Sequence, residues 1–181
     1  MDQSELDEIL RRITEGKREK DRKIDLFDFR GMNLAGAQLK GVSAEKANFE
    51  GVKLNGADLT GANLYRAKFK GASLIGARLN EADAVEADFQ GANLKNAKLR
   101  NANLQGAVLV GANLEKADLR WAILVSAEFD QADLKKANLT GVDLNGGELD
   151  EALNLPTNWN EGFQTRNQGN RRGKRRKPRK G

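Results

Sequence analysis

From residue 27 to residue 151 this chain repeats itself every five residues, without one insertion or deletion. Representative steps are Ala57-Asp58-Leu59-Thr60-Gly61 and Ala112-Asn113-Leu114-Glu115-Lys116. With the Leu taken as the centre of each step, its 25 occurrences are Leu 18 times, Phe five times and Ala twice. Ala stands two before the centre in 19 steps, Asp or Asn directly before it in 14, and Gly two after it in 13. Such a repeat restricts the fold severely, because each unit must bury its apolar side against copies of itself.

A helix has no use for a period of five. Five steps of 100° turn through about 500° and scatter the centres around the axis. Each periodic Gly would also cost roughly 1 kcal/mol in a helix interior. In an extended segment, alternation puts the centre and the residue two before it on the same side. Asp, Asn and Gly then supply a corner in every step. The Phe centres, Phe29, Phe49, Phe69, Phe89 and Phe129, are separated by multiples of 20. Four pentads per coil would therefore stack all five rings in one column, where offset aromatic contacts are favourable. Ala44 and Ala84 share another column and directly precede Phe49 and Phe89, making room for the rings, although Leu64 before Phe69 departs from this pattern.

The expected fold is an all-β solenoid, a quadrilateral β-helix of about six coils, ~30 Å tall at ~4.8 Å per coil. Ala beside each centre reflects an interior too narrow for a second large side chain. A solenoid needs its ends closed. Ser4 with Asp7 resembles a capping box, and Leu6, Ile9, Leu10 and Ile13 follow at helical spacing, with Gly16 as a stop. Asn154 takes a centre position and ends the repeat; Leu153, Leu155, Pro156, Trp159 and Phe163 are expected to fold across the last coil. The resulting organisation is a capping helix and charged connector over 1–26, the solenoid over 27–151, a C-terminal cap over 152–165 and a disordered basic tail over 166–181.

Charge follows the same divisions. Residues 1–28 carry 7 basic and 9 acidic groups, residues 29–151 carry 15 and 16, and residues 152–181 carry nine and one. The formal charge of +5 thus describes the tail, and the body is balanced. Cys and His are both absent, which excludes disulfides, the usual zinc sites and Ser-His or Cys-His catalytic pairs. No apolar run reaches the ~18 residues of a transmembrane span, and Met1-Asp2-Gln3-Ser4-Glu5 lacks the pattern of a secretory signal. The expected compartment is the cytoplasm.

The pattern Ala-(Asp/Asn)-Leu-x-x over residues 27–151 resembles that of the pentapeptide repeat family. The resemblance implies a right-handed quadrilateral β-helix with the centre and Ala positions facing inward. It implies no single activity: members with known roles act by binding proteins, and one branch mimics DNA, binds DNA gyrase and confers quinolone resistance. That branch is expected to show a strongly acidic surface and commonly carries Cys or bulkier residues where Ala stands here. This chain departs from it on both counts.

Other motifs fail on their details. Asp83, Glu86 and Asp88 are close in sequence, but a packed rod offers no pocket to tune a catalytic pair. Gly169 to Lys174 has the wrong spacing for a phosphate loop, and Gly147 and Glu148 spoil the calcium-loop order begun by Asp143. Asn138-Leu139-Thr140 matches a glycosylation acceptor, yet Leu139 is expected to point inward.

Two features point to binding. Trp121, Ile123 and Val125, with Val85 and Tyr65 on the column of Val125 and with Val108 and Val110 on the adjacent side, are outward apolar residues that form a candidate protein-contact patch or homodimer surface. The tail residues Arg171, Arg172, Lys174, Arg175, Arg176, Lys177, Arg179 and Lys180 form a candidate polyanion site that would track phosphates without reading bases. The expected function is a non-enzymatic interaction scaffold with no cofactor or metal. Its expected partners are a protein on the solenoid and nucleic acid on the tail. The balanced body predicts that polyanion binding rests on the tail alone.

Overall fold

The computed structural model describes residues 3–15, 22–146, 149 and 151–156. Parallel β-bridges join each residue before a centre to the residue 20 further on, from Lys23↔Ser43 through Asp58↔Arg78 and Asn103↔Ile123 to Asp133↔Leu153. Four pentads therefore make one coil, and the chain has four faces, numbered here from the N-terminus. Face 1 carries the centres Ile24, Ala44, Leu64, Ala84, Leu104 and Leu124; face 2 carries the Phe column; face 3 begins with Leu34 and face 4 with Leu39.

Each pentad makes its hydrogen bonds in two directions. Leu59 N–H donates to Arg78 O at 2.7 Å and Arg78 N–H to Ala57 O at 2.9 Å, which ties one coil to the next. Ala62 N–H donates to Leu59 O at 3.1 Å and closes the corner. The Asp and Asn preference before the centre has a direct cause: the side-chain oxygen caps the corner. Asp58 Oδ1 accepts from Thr60 N–H at 3.0 Å and Asn113 Oδ1 from Glu115 N–H at 2.9 Å. The residue two after the centre takes a positive φ whether or not it is Gly, as at Lys116 (φ 59) and Trp121 (φ 58). Backbone geometry is thus set by stacking, and Gly is the cheap occupant of a position that other residues accept under strain.

The interior is wholly apolar, with no buried polar or charged residue among those described. Phe29, Phe49, Phe69 and Phe89 stack at centroid spacings of 4.9, 4.9 and 4.8 Å with nearly parallel rings. The expected stack of five stops at four. Leu109 occupies the next place in the column, so Phe129 is buried without an aromatic neighbour below it.

Helix α1, Gln3–Glu15, lies over the first coil with Leu6 and Ile13 in the core and Ile9 and Leu10 half-buried against it. The stop expected at Gly16 lies outside the described residues. The ladder starts one pentad before Phe27: Ile24 is buried at a centre position and its N–H donates to Ser43 O at 2.8 Å. At the other end Leu153 does not fold across the top. It bridges Asp133 as an outward residue and is 44% exposed, whereas Leu155 packs on the core. Alternation decides this, since the residue before a centre must face out. Trp159 and Phe163 lie outside the described residues.

Candidate interaction surfaces

The structure places the sequence-derived patch on two adjacent faces. Ile123 stands in the middle of face 1, with Trp121 at the corner before it and Val125 at the corner after it. Trp121 is 48% and Ile123 39% exposed, and Val125 is half-buried. Tyr65 and Val85 occupy the Val125 corner three and two coils below, half-buried, with the polar Gln105 between Val85 and Val125. Val108 lies on face 2 between Asp88 and Glu128, and Val110 sits at the far corner of that face. Trp121, Ile123 and Val125 follow one another along one coil, Gln105 interrupts the column that runs from Tyr65 and Val85 to Val125, and Val108 and Val110 lie on the adjacent face.

Trp121 is held in place from several sides. The guanidinium carbons of Arg100 and Arg120 lie 5.2 and 5.9 Å from its ring centroid, within cation–π range. Arg120 is itself fixed by Asp118, through Nε–Oδ1 at 2.7 Å and Nη2–Oδ2 at 2.6 Å. This pairing with Arg120 keeps the Asp118 carboxyl below its ordinary range, against the opposing effect of partial burial. Gly141, one coil above, leaves room for the indole: a Cβ there would stand 2.7 Å from Trp121 Nε1 and closer to Cδ1. Gly141→Ala is accordingly expected to swing the ring outward, with a red-shifted tryptophan emission and a stability loss of about 1–3 kcal/mol from strain and lost contact. An unchanged emission spectrum would show that the ring does not rest on Gly141.

Tyr65 is similarly engaged. Arg66 lies 4.9 Å from its ring centroid and bonds Glu86 of the next coil at 2.6 Å. Of the acidic trio, Glu86 is thus paired and Asp88 caps its corner by accepting from Gln90 N–H at 2.8 Å. Asn138 Oδ1 accepts from Thr140 N–H at 3.1 Å, and Leu139 is buried. No group of three His, Cys, Asp or Glu suited to a metal occurs among the described residues. A cleft of about 600 Å³ lies between α1 and the first coil, lined by Glu5, Glu8, Ile9, Arg12, Phe27 and Asp28. There the side-chain bond from Arg30 holds the Asp28 carboxyl down at about 2.

Sorting charges by face shows what a linear count hides. Faces 3 and 4 with their corners carry Lys53, Lys95, Lys116, Lys135 and Lys136, and Lys40, Arg78, Lys98, Arg100 and Arg120. Only Glu115, Asp133, Asp58, Glu81 and Asp118 oppose them. Among the described residues, faces 1 and 2 hold the reverse: Asp25, Glu45, Asp83, Glu86, Asp143, Asp28, Glu50, Asp88, Glu128, Asp130 and Glu151 against Arg22, Lys23, Lys46, Arg66, Arg30, Lys68 and Lys70. The balanced body is electrically two-sided. Exposed Leu26 (71%) and Ile75 (38%) also escaped the sequence reading. Sorting residues into columns of period 20 would have shown the charge division. The tail residues Arg171, Arg172, Lys174, Arg175, Arg176, Lys177, Arg179 and Lys180 lie outside the described residues. No helix among the described residues is long and apolar enough to cross a membrane.

Comparison with known proteins agrees with the repeat geometry. The family described as pentapeptide repeats matches residues 28–61, 62–101, 87–124 and 112–149, in eight copies. No curated protein matches the chain. Among solved structures, the chain is similar to QnrB1, a plasmid-mediated fluoroquinolone resistance protein, at 25% identity, covering 72% of this chain and 73% of that one with a TM-score of 0.48. It is similar to a pentapeptide repeat protein from the Arabidopsis thaliana thylakoid lumen at 32% identity, covering 62% and 73% with a TM-score of 0.31. It is also similar to the pentapeptide repeat protein Rfr23 of the cyanobacterium Cyanothece 51142 at 27%, covering 81% and 97% with a TM-score of 0.32. Five-residue register, a ladder of period 20 and four family matches spanning residues 28–149 lead to one conclusion: the chain belongs to the pentapeptide repeat family.

Proposed function

We propose that this protein is a non-enzymatic, cytoplasmic interaction scaffold. Face 1 holds a protein partner or a second copy through Trp121, Ile123 and Val125, and the basic tail attaches to a polyanion. The observation that carries the reading is the exposure of Trp121 and Ile123 on a face whose backbone is hydrogen-bonded on both sides. Aromatic anchors that lose little freedom on binding dominate interfaces, and this ring is already braced by two arginines and a glycine.

The test borrows residues from the repeat itself. Trp121→Asn, Ile123→Asn and Val125→Gln introduce the residues found one coil below at Asn101, Asn103 and Gln105. The triple variant is expected to melt within a few degrees of the parent, because all three side chains face outward. Self-association in sedimentation, or capture of the main protein partner, is expected to fall at least tenfold. Unchanged sedimentation and capture would reduce the patch to ordinary surface.

A second reading, the gyrase-binding DNA mimic, draws support from the carboxylate excess on faces 1 and 2. Lys46, Arg66, Lys68 and Lys70 interrupt those faces, and for that reason the mimic ranks second. Inhibition of gyrase supercoiling by the purified protein would reverse that order.

A further inference from the structure

We infer that faces 3 and 4 of the solenoid form a second polyanion surface that binds the phosphate backbone of duplex nucleic acid. The inference goes beyond the tail attachment proposed above and places a site on residues that a whole-body charge count discards.

The two pairs of faces differ in how their cations are balanced. On faces 1 and 2, Arg30, Lys46 and Arg66 are each committed to a carboxylate, at 2.7, 2.8 and 2.6 Å, while Lys68 and Lys70 make no ion pair to a described residue but stand among an excess of carboxylates. On faces 3 and 4 the carboxylates are the outnumbered partners. Asp118 is taken by Arg120 at 2.6 Å, Glu115 by Lys95 at 2.6 Å with Lys116 at 3.6 Å, and Asp58 faces Arg78 at 3.9 Å. That leaves Lys40, Lys53, Lys98, Arg100, Lys135 and Lys136 with no ion pair to a described residue. Between residue 40 and residue 136 the chain rises nearly five coils, so these cations form a strip on the order of 20 Å long and two faces wide, from Lys53 in the middle of face 3 to Lys40 and Arg100 at the far corner of face 4.

Rigidity selects the occupant. Every coil is locked to the next by backbone hydrogen bonds, so the cations sit on a frame that neither bends nor wraps. A single strand needs a groove and free aromatic platforms, and the strip offers neither, since Trp121 stands at its rim with its ring already engaged by Arg100 and Arg120. A duplex presents a stiff, dense line of phosphates, one charge per roughly 1.7 Å of axis. Contact between two stiff rods sacrifices little conformational freedom and releases counterions along its length.

The experiment compares two double variants of the full chain with equal net charge. Lys98→Glu with Lys135→Glu reverses two cations of the strip, and Lys68→Glu with Lys70→Glu reverses two exposed lysines on face 2 and its corner; none of the four makes an ion pair to a described residue. Binding to a mixed-sequence 20-base-pair DNA is measured by fluorescence anisotropy from 50 to 200 mM salt. The strip variant is expected to bind at least tenfold more weakly at the lowest salt, and its slope of log K against log salt to shrink by about 2. The face 2 variant is expected to lose no more than about threefold, with its slope unchanged. Equal losses in the two variants would overturn the inference, as would tighter binding to a 20-nucleotide single strand or no binding to DNA by the parent. Failure of the tail reading is separately visible, because it is tested by deletion of residues 166–181 and does not move these two lysine pairs.

Discussion

Leu99→Lys is expected to unfold the solenoid under conditions in which Arg100→Lys, its immediate neighbour, leaves it folded. Leu99 is 1% exposed, and its N–H donates to Asp118 O of the next coil at 2.8 Å. Its column on face 4 continues with Leu79 below and Leu119 above, both buried. A lysine there must either bury an ammonium with no polar partner or pull its pentad out of the ladder. Such a change belongs to the exceptional class above about 4 kcal/mol. Arg100→Lys keeps the charge and disturbs mainly the contact over Trp121, worth about 0.5–1 kcal/mol. Denaturation midpoints of the two variants decide the matter, and equal midpoints would contradict the inward assignment of the centres. Ala97→Leu supplies an intermediate case, because a larger side chain in the narrow interior is expected to cost about 1–3 kcal/mol by overpacking.

The second large effect concerns affinity. The tail places eight basic side chains between Arg171 and Lys180. Each phosphate neutralised on a duplex contributes about −0.9 to the slope of log K against log salt, so full engagement approaches roughly −7 for the tail. Between 50 and 200 mM salt such a slope weakens binding by about four orders of magnitude. Deleting residues 166–181 is expected to remove the larger part of the slope and leave the smaller contribution of Lys40, Lys53, Lys98, Arg100, Lys135 and Lys136. Sequence preference is expected to be slight in both forms, since phosphate contacts carry no base information. A truncated chain with the affinity and salt slope of the parent would remove the tail from the binding reaction.

What the sequence alone determined is the repeat geometry. A period of five, with Leu or Phe at the centre and Ala two before it, satisfies alternation in an extended side and nothing helical. The Phe residues, spaced by multiples of 20, point to four sides per coil, and the bridges pair residues at that interval. The Asp and Asn before the centre were legible as corner residues because their short side chains bond backbone two residues on, as Asp58 does to Thr60. These features are local or strictly periodic, and a linear reading captures both.

The tertiary structure decided whatever depends on which side chains meet across coils. Leu153, apolar and just past the last repeat, suits a lid by its chemistry, but alternation along the ladder turns it outward. Trp121 owes its position to Gly141, twenty residues away and one coil above. The charge division is hidden from a linear count and becomes legible only when residues are sorted by the face on which the coil places them. Lys98 and Asp88 are ten residues apart and cancel in any linear count, yet half a coil separates them onto opposite faces, where each is seen by a different partner. A solenoid converts sequence distance modulo 20 into direction, and the electric field outside it depends on direction, whereas composition reports only the sum.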